Sequence, residues 1–318
     1  MESDDTAVRC ANCGAAEGDG IKLKKCAGCN SVRYCGIKCQ KEHRPKHKKA
    51  CKQRAAELRD ELLFKQPEGT HLGDCPICCL PLHHELGSKT IMTVCCSTMV
   101  CKGCHDMHYT RQVKGKLEKT CIFCRAVGED THADMFRSLI KRVEANDANA
   151  VRDYGYVCMK RGDHKSAVEH YLRAIKLGDI EAHSSMAAMY QNGHGVEKDE
   201  KKMVRHLEEA AIGGHINARR ALGRLDWDSG RFQRGIKHWT IASTLGCDLS
   251  IVRLKDAYNM NRGFLEKEDL AAALRAYQAA VDARTSKERD IAYKRMEQFD
   301  EWLKKKRQID PVKYAPPF

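Results

Sequence analysis

Proline is scarce in this 318-residue chain, 7 in all, and aromatic side chains make up only 6% of it. So few prolines exclude a long proline-rich linker. So few aromatics, beside 31% charged residues, argue against one large core and fit small modules with exposed helices. No apolar run approaches the ~20 residues that a membrane-crossing helix needs. The opening MESDDTAVRC lacks the charged-then-apolar order of a secretory leader. At roughly 100–200 residues per domain, the length allows two or three domains.

Cysteine is what the chain has in excess. There are 18, and beyond Cys124 only Cys158 and Cys247 remain. Without a leader, the expected compartment is intracellular and reducing, cytoplasmic or nuclear. There such density reads as metal sites rather than disulfides. The formal charge of +13 invites a nucleic-acid partner. Fifteen thiolates on four divalent ions would lower it to about +6, so much of the basic excess is counter-charge and the nucleic-acid reading weakens.

The chain reads as five stretches. Residues 1–54 carry cysteine pairs. Residues 55–74 form a charged, helix-prone linker (AAELRDELLFK) that breaks at Pro67 and Gly69. Residues 75–128 carry a second set of pairs. Helical periodicity runs through 129–290, and 291–318 form a basic helix end and tail.

The first set is Cys10-x2-Cys13, Cys26-x2-Cys29, Cys35-x3-Cys39 and His47-x3-Cys51. A C-x2-C turn puts two sulfurs on one side of a loop, and an i, i+4 pair puts two ligands on one helix face. Eight ligands suffice for two closed tetrahedral zinc sites, which leave no position for water and so do no hydrolysis. The spacing, with Tyr34 before Cys35 and Gln40 after Cys39, resembles the MYND-type zinc finger. The resemblance implies a cross-brace: Cys10, Cys13, Cys35 and Cys39 on one ion, and Cys26, Cys29, His47 and Cys51 on the other. It also implies a surface for proline-containing peptides, at which Gln40 matches the family. The tryptophan expected four residues later is Arg44, so the flat aromatic wall is missing. The run Lys46, Lys48, Lys49 and Lys52 reads as a solvated helix face.

The second set is Cys75-x2-Cys78, the doublet Cys95/Cys96, Cys101-x2-Cys104 and Cys121-x2-Cys124. It resembles an all-cysteine RING finger. The resemblance implies Cys75, Cys78, Cys101 and Cys104 on one ion, and Cys95, Cys96, Cys121 and Cys124 on the other. That makes four zinc ions in all, two per finger. The doublet departs from the family pattern; the alternative uses one of its cysteines, with His105 or His108 completing the site. Cys79 is then a spare thiol, and His83 and His84 are surface residues. Some RING fingers recruit a ubiquitin-conjugating enzyme and hold its thioester in a reactive pose. Ile77, inside the first pair, and Arg125, after the last ligand, match the surface that does so. His108 stands where a bulky aromatic is usual, and Ile122 where a proline is. His83-His84-Glu85 followed by Cys101-x2-Cys104 also has the look of a zinc deaminase. Val100 replaces the proline which that motif needs, and the RING pattern accounts for every pair.

In the second half Gly178, Gly214 and Gly246 recur at 36 and 32 residues, with aligned neighbours. Tyr171, Leu207 and Trp239 lie seven before them, Ala174, Ala210 and Ala242 four before, and Met186, Leu222 and Leu254 eight after. Offsets of three, four and seven mark one helix face, and two helices per period mark a solenoid. YQNGHGVEKD, Tyr190 to Asp199, resembles the loop of SLR (Sel-one-like) repeats, which are related to tetratricopeptide repeats and serve as adaptor surfaces. Cys158 and Cys247 are expected to be buried in this core. The run Lys304 to Arg307 reads as a solvated helix end, and Pro316 and Pro317 could feed a MYND-type groove.

The expected architecture is multidomain: two small zinc-stapled α+β cross-brace fingers, then an all-α helical-repeat solenoid. The expected partners are proteins, with neither nucleic acid nor membrane. Two functions stay open, a RING-type ubiquitin ligase and a scaffold without catalysis. No catalytic metal, nucleophile or SET-type methyltransferase segment is visible.

Overall fold

The computed structural model describes residues 8–18, 20–127, 131–260 and 263–309, and the chain divides into two units, 1–65 and 66–318. In the first unit β1 (Lys24–Lys25) pairs antiparallel with β2 (Arg33–Tyr34), Lys24 opposite Tyr34. Helix α1 follows (Ile37–Leu63) and carries Pro45 in its interior. The core is Cys10, Leu23, Cys26, Cys29 and Tyr34, with Cys39 and Cys51 against it. A core made largely of cysteine buries too little carbon to hold a fold of this size by itself. The charged stretch after residue 54 is helical through Leu63, which is buried. Unbroken helix propensity carries α1 on until the break near Pro67.

The second unit opens with a hairpin, β3 (Thr90–Thr93) and β4 (Thr98–Cys101), in which Thr90 faces Cys101 and Thr93 faces Thr98. Helix α2 (Lys102–Lys114) follows at once. Cys75, Leu82, Val100, Cys101 and Ile122 form the core here, again rich in sulfur. Helix α3 (His132–Glu144) leads into four helical pairs. They are α4 (Ala148–Lys160) with α5 (His164–Lys176), α6 (Glu181–Asn192) with α7 (Glu200–Ile212), α8 (Ile216–Asp228) with α9 (Phe232–Thr244), and α10 (Asp248–Asn259) with α11 (Lys267–Asp282). Helix α12 (Lys287–Ile309) closes the described chain. Its length includes Lys304 to Arg307; Pro316 and Pro317 lie outside the described residues. Among the described residues, no helix is long and apolar enough to cross a membrane.

Small residues let the helices of a pair approach closely. A methyl at Gly223 of α8 would sit 2.4 Å from the Trp239 ring of α9, and one at Gly155 of α4 would sit 2.9 Å from Tyr171 of α5. Aspartates cap the starts. Asp147, Asp163 and Asp199 accept the backbone N–H of Ala150, Ser166 and Lys202 at α4, α5 and α7. Cys158 and Cys247 are buried in the array.

The second set of cysteines and the array share one unit, although the sequence reading separates them at residue 128. Val94, at the hairpin tip, packs against the helical cluster that includes Leu139, Val143, Ala150 and Val151. The buried Arg152 of α4 bonds Asp179 at 2.8 Å and lies 4.0 Å from the Met92 sulfur of β3. The His71 N–H donates to the Gly214 carbonyl at 3.4 Å. Gly214 has φ +86°, and a methyl there would stand 2.7 Å from the Gly69 carbonyl oxygen. A fifty-residue finger buries little of its own apolar surface, so packing on a neighbour is favourable.

Gly214→Ala is therefore expected to destabilise the second unit by about 2 kcal/mol, from the left-handed backbone and the clash combined. That corresponds to a Tm lower by ~4–8 °C in a domain of this size. Gly230→Ala has the same backbone sign with nothing within 4 Å, and in a thermal melt it should cost less.

Candidate metal centres

Each of the four C-x2-C pairs that begin a cluster or end one has the same local geometry. In Cys10–Cys13, Cys26–Cys29, Cys75–Cys78 and Cys121–Cys124, the residue after the second cysteine is left-handed: Gly14 (φ 75°), Asn30 (55°), Cys79 (56°) and Arg125 (62°). The N–H of that residue donates back to the carbonyl of the first cysteine, at 2.9, 2.9, 2.8 and 3.2 Å respectively. The N–H of the first cysteine is bonded in turn to a carbonyl five or six residues on: Ala15, Val32, Leu80 and Ala126. The turn folds both sulfurs to one side, and its left-handed exit reverses the chain. Cys79 occupies that exit with its side chain exposed, which removes it from the cluster its neighbour joins.

The pairs converge on four clusters: Cys10, Cys13, Cys35 and Cys39; Cys26, Cys29, His47 and Cys51; Cys75, Cys78, Cys101 and Cys104; and Cys95, Cys96, Cys121 and Cys124. Within each, the ligand atoms all lie within 4.8 Å of one another. Representative sulfur separations are 3.6 Å for Cys13–Cys35, 3.8 Å for Cys26–Cys51, 3.8 Å for Cys78–Cys101 and 3.5 Å for Cys95–Cys124. These are far too long for disulfides. They match the ~3.8 Å edge of a tetrahedron whose metal–sulfur bonds are ~2.3 Å. The His47 Nε2 lies 3.2 Å from Cys29 Sγ.

The doublet works because of where it sits. Along a strand, adjacent side chains point to opposite faces. Cys95 and Cys96 occupy the turn between β3 and β4, with Ser97 left-handed at φ 53°, so both sulfurs reach the same cluster. His108 is engaged elsewhere, its Nε2 donating to the Thr120 carbonyl at 2.9 Å, and His105 lies 3.3 Å from the Asp106 carboxylate. His83, expected at the surface, is buried, and His84 is half-buried. Burial, with His84 and Lys89 nearby, lowers His83 to about 2. Its Nδ1 accepts the Glu85 N–H and its carbonyl accepts the Thr90 hydroxyl, so this histidine braces the loop instead of meeting solvent.

The thiols of a cluster are electrostatically unequal. Burial opposes ionisation of Cys10, Cys29 and Cys96. Backbone N–H groups at Cys10, the Ser31 hydroxyl at Cys29 and the Thr93 and Thr98 hydroxyls at Cys96 still hold each at about 6. The Cys101 thiol holds Cys75 at about 4, and the same bond pushes Cys101 up. Cys35 is pushed to about 12 by its bonds to Cys39 and Cys13, Cys51 to about 11 by burial and Cys26, and Cys104 to about 12 by burial. Each cluster thus has one thiol that ionises readily beside at least one, among Cys35, Cys51, Cys101 and Cys95, that holds its proton more firmly. Thiolate-rich tetrahedral donor sets of this kind suit zinc.

A fifth group, His71, Glu181 and His215, also converges. Glu181 Oε2 lies 2.9 Å from His71 Nε2 and 3.0 Å from His215 Nε2. His215 Nδ1 accepts the Ala218 N–H as the cap of α8. A neutral imidazole whose Nδ1 accepts must carry its proton on Nε2, so that nitrogen donates to Glu181 and offers no lone pair to a metal. Burial would raise Glu181, but the two imidazoles hold its carboxyl well below the usual range. This group clamps residue 71 to the array by hydrogen bonds.

On the first unit, Gln40 and Arg44 line a shallow cavity of about 120 Å³ with Tyr34, Lys48 and Lys52. Ile77 and Phe123 are exposed on the second finger, as is Arg125. Sequence reasoning missed the His71, Glu181 and His215 clamp and the buried Arg289. No spacing signals either, because His71 lies 110 residues from Glu181 and Arg289 lies 211 from Cys78.

The class defined by these features is a zinc-binding finger protein with a helical-repeat array. Residues 10–51 match the family model of the MYND finger. A MYND finger is generally a protein-interaction module. No curated protein matches the chain. Among solved structures, a Sel1 repeat protein from Oxalobacter formigenes is 20% identical, with a TM-score of 0.42 over 56% of this chain and 72% of that one. A protective antigen of uropathogenic Escherichia coli strains displaying an SLR fold is 21% identical, with a TM-score of 0.36 over 62% of this chain. This chain spans 41% of the antigen's length. The pairing of α4 to α11 stands on its own geometry.

Cys78→Ser is expected to lower the zinc content by one ion, whereas Cys79→Gly retains it all and relieves a left-handed side chain; metal analysis of the two purified variants checks this. Zinc affinity is expected to fall as pH falls. Thiols pushed up to about 11 to 12 without metal, such as Cys35, Cys51 and Cys104, must lose protons to bind. Binding near pH 7 should release about two to three protons per cluster, measurable by calorimetry in buffers of different ionisation enthalpy.

Proposed function

We propose that this chain is a zinc-stapled protein-interaction scaffold holding four zinc ions. Cys10, Cys13, Cys35 and Cys39 take the first, and Cys26, Cys29, His47 and Cys51 the second. Cys75, Cys78, Cys101 and Cys104 take the third, and Cys95, Cys96, Cys121 and Cys124 the fourth. One observation carries this reading: each cluster brings four protein donors within 4.8 Å of one another. A fully enclosed ion has no place for substrate or water, so its work is to hold a small fold rigid. The MYND-type finger offers Gln40 and its cavity to a peptide. Arg44 in place of an aromatic wall favours a partner with acidic residues beside the docked segment. Free, unpaired cysteines fit a reducing intracellular compartment, cytoplasmic or nuclear.

Native mass spectrometry of the intact chain tests the metal count. Four zinc ions are expected, and two would remove one finger from the reading. Titration with a proline-containing acidic peptide tests the docking surface; Gln40→Ala should weaken binding several-fold.

A second reading is favoured by the exposure of Ile77 (45%) and Phe123 (49%) beside the exposed Arg125. In it the second finger recruits a ubiquitin-conjugating enzyme and positions its thioester. His108, bonded to the Thr120 carbonyl in the place of the usual aromatic, speaks against it. An autoubiquitination assay decides. Activity lost in Ile77→Ala and Arg125→Ala favours the ligase, and no activity in the wild type leaves the scaffold.

A further inference from the structure

Helix α12 begins against the second finger, and one side chain in its first turn is out of place for a surface helix. Arg289 is 1% exposed. Its Nη1 donates to the Pro81 carbonyl at 2.7 Å and to the Arg284 carbonyl at 3.0 Å. Its Nη2 donates to the Leu80 carbonyl at 3.0 Å and to Cys78 Sγ at 3.2 Å. The guanidinium therefore caps the turn that carries Cys75 and Cys78, from 211 residues away. The backbones meet closely enough to need a glycine: a methyl at Gly103 of α2 would stand 2.9 Å from the Arg289 Cα and backbone nitrogen. Arg284, at the preceding turn, reaches the other way and donates to the Gly246 carbonyl between α9 and α10 at 3.0 Å. Two buried arginines thus link the end of the array to a cysteine turn.

A buried guanidinium is costly without counter-charge. Carbonyl oxygens accept from its two Nη nitrogens but do not neutralise it, and its buried Nε has no hydrogen-bond partner. A divalent ion on four thiolates carries a net charge of about −2, and hydrogen bonds to ligand atoms are what tune such sites.

We propose that Arg289 is the outer partner of the zinc site formed by Cys75, Cys78, Cys101 and Cys104, so that zinc occupancy there and docking of α12 on the finger are one coupled equilibrium. The inference rests on the zinc reading above. It makes the second finger incomplete without the C-terminal helix. It also makes loss of that zinc, by chelation, a signal that frees α12.

The test uses the intact, zinc-loaded chain. N-ethylmaleimide labelling is mapped by peptide mass spectrometry, and hydrogen exchange is followed along α12. In Arg289→Met, Cys78 and Cys104 are expected to label about ten-fold or more faster than in the wild type, with Cys10 to Cys39 unchanged. Arg289→Lys, which keeps the charge but not the fork, should fall between. Amides of α12 should exchange faster in Arg289→Met, and in wild type stripped of zinc, while α6 to α9 stay protected. Labelling and exchange in Arg289→Met equal to wild type would overturn the proposal. So would Arg289→Lys labelling as fast as Arg289→Met, since packing alone would then account for the residue. Should Arg289→Met not fold, Gly103→Ala, which changes no charge but blocks the approach, carries the comparison with stripped wild type; α12 protected in both would overturn the proposal. A wild type that retains no zinc on Cys75 to Cys104 defeats the metal reading itself. A zinc-loaded wild type with indifferent variants defeats only the coupling.

Discussion

Thiolates gathered around a cation are the interaction on which the amino-terminal third depends. Half of the buried residues in the two finger cores are the cysteines themselves, and Leu23, Tyr34, Leu82, Val100 and Ile122 are the other half. So little apolar burial cannot offset the entropy of ordering some fifty residues. The left-handed exits at Gly14, Asn30, Cys79 and Arg125 belong to the same economy. Three of the four are not glycine, and the backbone cost is accepted where it turns a pair of sulfurs inward.

The array is built on a different force. Its helices meet through small residues, Gly155 on Tyr171 and Gly223 on Trp239, and through buried aliphatic and aromatic carbon. It also buries charge: Arg152 with Asp179, and Glu181 with two imidazoles. These polar groups lie where the segment before the second finger, or the finger itself, packs. Glu181 reaches His71, Arg152 lies against Met92, and Arg289 reaches Cys78. Polar contacts of this sort set one docking geometry, because any other leaves a buried charge unpaired. The second finger and the array thus act as one piece, and the face a solenoid would offer to a partner is in part used within the chain.

Much of the site was legible because metal ligation is a local problem. A C-x2-C pair or an i, i+4 pair shows itself within five residues, and fourteen of the sixteen donors fall into such pairs, the Cys95/Cys96 doublet being the exception. Which pair joins which could come only from family resemblance, since spacing is silent on interleaving. The doublet shows the limit: adjacent cysteines serve one ion only if they sit in a turn, and Ser97 decides that through its backbone. His83 shows another. It is buried, its carbonyl accepts the Thr90 hydroxyl, and the charges of Arg284 and Arg289, some two hundred residues on, act on it; its neighbours in sequence do not foretell those arginines.

The sequence by itself determined the sulfur pairs, the helical period of the second half and the small residues at its contacts, because each is written in short-range spacing. Only the tertiary structure decided that α1 runs on to Leu63, that the second finger is bound into the array, and that Arg289 lies against Cys78. The first is helix propensity running on past the last ligand; the other two depend on burying charge and surface between segments 60 to 211 residues apart, and chain order carries no mark of such meetings.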